Sequence, residues 1–119
     1  MTALLERITT VADHLGLPIA VGLYTATPVP DAYLVATPMV DLFDVFADNQ
    51  PGVEVEEVRL SLFTKNNYLE ARDRLTVALL EAGLTVTARR YVGFEPDTGF
   101  HHYGVDLAAH NPYTLLEGV

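Results

Sequence analysis

Hydrophobic positions in this chain switch between a period near 3.6 and a period of two, and the switches fall at turn residues. Leu4, Leu5, Ile8, Val11, Ala12 and Leu15 share one helical stripe. Thr2 stands where an N-cap belongs, Gly16 where a helix ends, and Pro18 prevents continuation. Residues 19–24 then form a short apolar strand, and Pro28 and Pro30 mark a turn. Residues 32–37 read as a second strand closed by Pro38, and residues 53–63 as a third. Asn67 and Glu70 have capping-box spacing ahead of a second helix. Ala71, Leu75, Ala78, Leu79 and Ala82 make its core stripe, and Gly83 stops it. Two further strands, about 85–94 and 100–107, flank Pro96 and Gly99 and so form a hairpin.

The pattern predicts an α+β fold in the order α-β-β-β-α-β-β, with two helices on a mixed or antiparallel sheet of about five strands. Residues 1–109 form one domain and 110–119 a C-terminal tail. Residues 39–52 are long for a connection. They interleave Leu42, Phe43, Val45 and Phe46 with Asp41, Asp44 and Asp48. Two readings fit: a helical turn or extra strand on the core, or an apolar patch kept for a partner protein. The third strand also changes phase, because Val53 and Val55 are odd-numbered while Val58, Leu60 and Leu62 are even-numbered. Either a bulge lies near Glu56 and Glu57, or Val53 and Val55 lie beyond the main sheet and face something else, such as a neighbouring subunit.

Charge narrows the function classes. Seven Lys and Arg stand against 16 Asp and Glu, a formal net charge of −9 over 119 residues. No basic stripe is present to track a phosphate backbone. Cys is absent, which removes disulfides and thiolate metal sites. No apolar run is long enough to span a bilayer, and the N-terminus lacks the basic and apolar regions of a signal peptide.

Candidate chemistry is thin. His14, His101, His102 and His110 are the histidines, and only His102 and Asp106 share a local strand face. A zinc site needs three or four convergent ligands. Ser61, the sole serine, lacks nucleophile-elbow glycines, and there is no phosphate loop or dinucleotide fingerprint. Glu54 and Glu56 share one strand face and Glu57 points away unless a bulge intervenes; they read as solvated strand residues and not as a carboxylate cluster. The residues point to no enzyme and no cofactor.

Several segments carry a resemblance. Leu-Gly-Leu-Pro-Ile-Ala-Val-Gly-Leu-Tyr at 15–24 follows the first helix, ahead of a proline-containing turn. Tyr-Leu-Val-Ala at 33–36 and Phe-Ala-Asp at 46–48 come next. Val-Arg-Leu-Ser-Leu-Phe-Thr at 58–64 then leads into a helix closing Leu-Leu-Glu-Ala-Gly-Leu at 79–84. In this order and spacing, residues 3–107 resemble the tail terminator (tail completion, minor tail) proteins of long-tailed bacteriophages. The second helix departs from the Lys-rich helix expected of that family, carrying Arg72 and Arg74 and no Lys.

The resemblance implies a homohexameric ring on the end of the tail tube. Such a ring stops tube polymerisation and joins the tail to a head-connector or head-completion protein. Its place is the virion tail, after assembly in the host cytoplasm, with no membrane partner. Genome DNA passes through without specific binding. Under that reading Leu42, Phe43 and Phe46 meet the partner protein. Val53, Val55, Arg89 and Arg90 meet a neighbouring subunit, and Glu54, Glu56 and Glu57 line the lumen or rim.

Overall fold

In the computed structural model, residues 3–45 and 51–112 are described, with side chains for 3–39 and 55–110. The element order is α1 (Ala3–Leu15), β1 (Ile19–Val21), β2 (Ala32–Val45), β3 (Pro51–Thr64), α2 (Tyr68–Glu81), β4 (Thr85–Glu95) and β5 (Phe100–Pro112). The strands form one mixed sheet in the order β1-β2-β3-β5-β4. β1 runs parallel to β2, and every other pairing is antiparallel. This is a single α+β domain with both helices on one face of the sheet.

The two helices end by the same device. Gly16 and Gly83 adopt φ of 71° and 80°, a region that penalises any residue with a Cβ. In α1 the Leu17 N–H donates to Ala12 O and the Gly16 N–H to Asp13 O. In α2 the Leu84 N–H donates to Leu79 O and the Gly83 N–H to Leu80 O. Both are Schellman caps, which satisfy carbonyls the helix leaves over. Arg7 adds a link between the helices by donating to Ala82 O at 2.8 Å. At the start of α2, Asn67 Oδ1 accepts from the Leu69 and Glu70 N–H groups, as its sequence position predicts.

The core lies between the helices and one sheet face. Leu4, Ile8 and Ala12 from α1 and Leu75 and Leu79 from α2 meet Leu34, Val58, Leu60, Leu62, Val105 and Leu107, all buried. β3 keeps one register with β5 from Val53 to Thr64, so it contains no bulge against that neighbour. Against β2 the register shifts twice, between Pro38 and Val40 and again between Asp44 and Val45. Even-numbered residues of β3 therefore face the helices, and Val55 shares the opposite face with Glu57, Arg59, Ser61 and Phe63. Neither reading of the phase change holds: β3 has no bulge against β5, and Val53 and Val55 lie within the sheet, Val55 between Leu42 and His110.

The long connection expected at 39–52 is also corrected. β2 does not stop at Pro38 but runs on to Val45, and β3 begins at Pro51. Pro38 is tolerated because of its position. Leu34 donates outward to Pro18 O, and Ala36 O accepts from Gly22, so even-numbered residues of β2 direct their backbone away from β3. Pro38 places its missing N–H on that outer edge, where no ladder bond is lost. β5 likewise continues past its expected end to Pro112, pairing with β3 as far as Val53. The result is a three-stranded arm beyond the start of β4, which pairs with Ala108. The radius of gyration is 16.3 Å and the principal extents are 53 × 26 × 24 Å. A compact chain of this length has a radius near ~13.5 Å.

Candidate interaction surface

The arm positions several residues singled out from the sequence. Leu42 pairs with Val55, Phe43 with Glu54 and Asp44 with Val53. The hypothesised partner residues Leu42 and Phe43 thus sit on a paired strand and not on a loop. Phe46 lies outside the described residues. Val53 and Glu54 are placed by backbone pairing alone.

The acidic trio divides. Glu56 is 3% exposed on the helix side, and its Oε1 has no hydrogen-bond partner. It cannot line a lumen in this structure, which corrects the expectation of a solvated face. The reason is strict alternation, which places Glu56 with Val58 and Leu60. Glu57 points to the opposite face and is half-buried, between Val40 of β2 and Ala108 of β5. Arg89 and Arg90 divide the same way. Both are exposed, but Arg89 reaches back to donate to Thr76 Oγ1 of α2 at 3.2 Å. Arg90 stands opposite Gly104 and lies over it on the helix-free face.

That helix-free face is the least conventional part of the surface. Phe63 stacks on His102 with centroids 4.2 Å apart, and Tyr33 stacks on Phe63 at 4.9 Å. Tyr33, Phe63 and His102 are cross-strand neighbours on β2, β3 and β5. Phe100 meets Tyr33 edge-on at 5.4 Å, and the Lys65 ammonium lies 5.0 Å from the Phe100 ring centre. Aromatic side chains therefore take the place of a second covering layer at this end of the sheet.

Burial is the main cause pushing the His102 pKa down, opposed by Glu95 and reinforced by Arg59 and Arg90. Its Nε2 is buried without a partner. Burial likewise raises the Tyr33 phenol, with Glu95 and Tyr24 adding to it.

Farther along the same face, Arg59 forks onto Asp106. Its Nε donates to Oδ1 at 2.8 Å and its Nη2 to Oδ2 at 3.1 Å. Hydrogen bonds from Arg59 hold the Asp106 carboxyl below its ordinary pKa, against a smaller effect of burial. His102 and Asp106 do share a face, as the sequence indicates, but four residues of strand separate them by roughly 13 Å. Asp106 is committed to Arg59 and His102 to Phe63, so the two do not form a ligand or base pair.

His101 lies on the other face, where its Nδ1 shares a 2.9 Å hydrogen bond with the Tyr91 hydroxyl. His14 and His110 are exposed, and Ser61 is buried beside Gly104. Among the described residues no group of three or more His, Asp or Glu could hold a metal ion. Among those residues, too, no helix is long and apolar enough to cross a membrane.

Sequence reasoning missed the Arg59–Asp106 fork and the Tyr33–Phe63–His102 row. Both depend on cross-strand register, which parity alone does not supply. It also missed the exposed apolar side of α2, where Leu69, Val77 and Leu80 are each about half exposed. Compared with known proteins, this chain matches no family model and no curated sequence.

Proposed function

We propose that this chain is a structural subunit of a long-tailed bacteriophage. It forms a homohexameric ring on the end of the tail tube, stops tube polymerisation and presents the surface that joins the tail to the head. The observation that carries this reading beyond sequence resemblance is the three-stranded arm. Its backbone runs on past Thr85, where β4 begins opposite Ala108, so only β2, β3 and β5 continue there. A neighbouring subunit or the tube end gives it a second layer. The exposed apolar positions on α2 supply further area of the kind a subunit interface buries.

The mechanism is assembly without bond chemistry. Growth stops when the ring covers the tube end and offers a different face outward. A ring multiplies the charge of −9 per chain sixfold, so a lumen that shares this sign repels DNA and lets it slide. Glu57, on the helix-free face, replaces Glu56 as the described member of the trio available to that electrostatic role.

The direct test adds the purified chain to the tube protein during polymerisation. Shortened tubes ending in sixfold rings are expected. Tubes of unchanged length, together with a stable dimer and no ring, would refute the reading. A head-completion role is the alternative, and loss of such a protein leaves leaking heads and not overlong tails.

A further inference from the structure

α1 and α2 do not close over each other at the end of the sheet near Thr64. A cavity of about 280 Å³ opens there, lined at its base by Leu15, Leu17, Ala71 and Leu75. Asn66 and Arg74 stand at its rim. A second cavity of about 380 Å³ shares Leu15 and Arg74 and continues past Val77, making one groove along α2. The first cavity is slightly smaller than the ~300–1,000 Å³ typical of small-molecule sites. An apolar floor of this size, open along one side, suits side chains of a peptide better than a whole ligand.

We propose that this groove takes residues 113–117 of a second copy of the chain, with Leu115 and Leu116 seated on the apolar floor. Three observations select that occupant. The segment reads Tyr113-Thr114-Leu115-Leu116-Glu117, so an adjacent leucine pair is followed by a carboxylate. Arg74, with no ion-pair partner among the described residues, is the cation open to that carboxylate; Glu70, Asp73 and Glu81 line the same groove, so Glu117 has one place to seat, beside Arg74.

The third observation is reach. The segment follows Pro112, which pairs with Val53 on the arm, whereas Thr64 at the groove lies at the other end of β3. Eleven residues of strand separate Val53 from Thr64, roughly 36 Å at ~3.3 Å per residue. Leu116 stands four residues past Pro112 and extends at most ~14 Å from it. The leucines therefore cannot reach the floor at Leu17, Ala71 and Leu75 in their own chain. A contact from the arm end of one copy to the helix groove of the next is heterologous, and such contacts close into rings or run on as filaments. The inference deepens the ring reading, but the contact itself does not depend on the ring's location in a virion.

The chain contains no cysteine, so introduced thiols report alone. Asn66→Cys and Leu116→Cys are made separately in the full chain, mixed at high concentration and treated with a short bismaleimide. A covalent dimer joining one copy of each variant should form severalfold more than in either variant alone. Adding Leu115→Asp to the second variant should abolish it. Asp97→Cys, at the exposed β4–β5 turn, replaces Asn66→Cys as the control and should give no excess. Absence of the mixed dimer overturns the proposal. So does cross-linking within one chain of the double variant Asn66→Cys, Leu116→Cys. A ring seen by microscopy without the cross-link would leave the ring reading standing and remove this contact. Cross-linked open oligomers without a ring would do the reverse.

Discussion

Asp106 and His102 occupy one sheet face yet respond to acid for opposite reasons. Asp106 is held below its ordinary pKa by Arg59. The unfolded carboxyl, near ~3.9, therefore binds its proton first as pH falls. The stabilisation from the Arg59 fork is complete above that value and is lost as pH drops through the lower folded pKa. Thermal melts between neutral and strongly acidic pH should show this loss in the wild type. Asp106→Asn should melt lower at pH 7 and show a flatter acid limb.

His102 is held down by burial first. Between its folded pKa and the unfolded value near ~6.5, the unfolded chain again binds more protons, so stability falls as pH falls through that window. His102→Phe keeps the stack on Phe63 and removes the unpartnered Nε2. It should raise the melting temperature and remove the slope between neutral and mildly acidic pH. A lower melting temperature at every pH would show that Nε2 has a partner worth keeping.

At the scale of elements, local signals set what formed and long-range register set where it went. Asn67 illustrates the local kind, since one side chain satisfies two free N–H groups of α2. Asn67→Ala should cost about 1 kcal/mol by chemical denaturation, with no change in the sheet. A neutral result would mean that packing of Leu75 and Leu79 alone fixes the start of α2. Gly16, Gly83 and the Leu4–Ile8–Ala12 stripe were legible for the same reason, because each acts within a turn or two of chain. Pro38 misled because proline is read as a strand end, whereas here its ring lies on the outer edge of β2 and leaves the β3 ladder intact. The phase change at Val55 was legible as a conflict but not as a solution. Its resolution needs the position of the helices, which cover the even-numbered side of β3 only. Glu56 was misplaced by the same gap, since a glutamate in an alternating strand reads as solvent-facing until the covering layer is known. The Arg59–Asp106 fork joins residues 47 apart in sequence, and no local pattern signals it.

The whole molecule is elongated and acidic, and both its helices lie on one sheet face. If its charge keeps DNA from adhering, reversing Glu54 and Glu57 to Lys should leave assembly intact. Rings of that variant should then hold DNA at low salt and release it as salt rises, because phosphate contacts displace counterions. Indifference to DNA at all salt concentrations would reduce the acidic balance to ordinary solubility. Phe43→Asp probes the arm. If Phe43 serves a partner, the variant should melt like the wild type and fail to attach tails to heads. A loss of several kcal/mol would place the ring in a packed environment within the chain.

The central claim, that this chain ends tail growth and joins tail to head, is tested most directly by negative-stain microscopy of particles assembled without it. The account predicts overlong tails with no heads attached, beside filled heads. Tails of normal length joined to heads, or heads that leak their DNA, would contradict it.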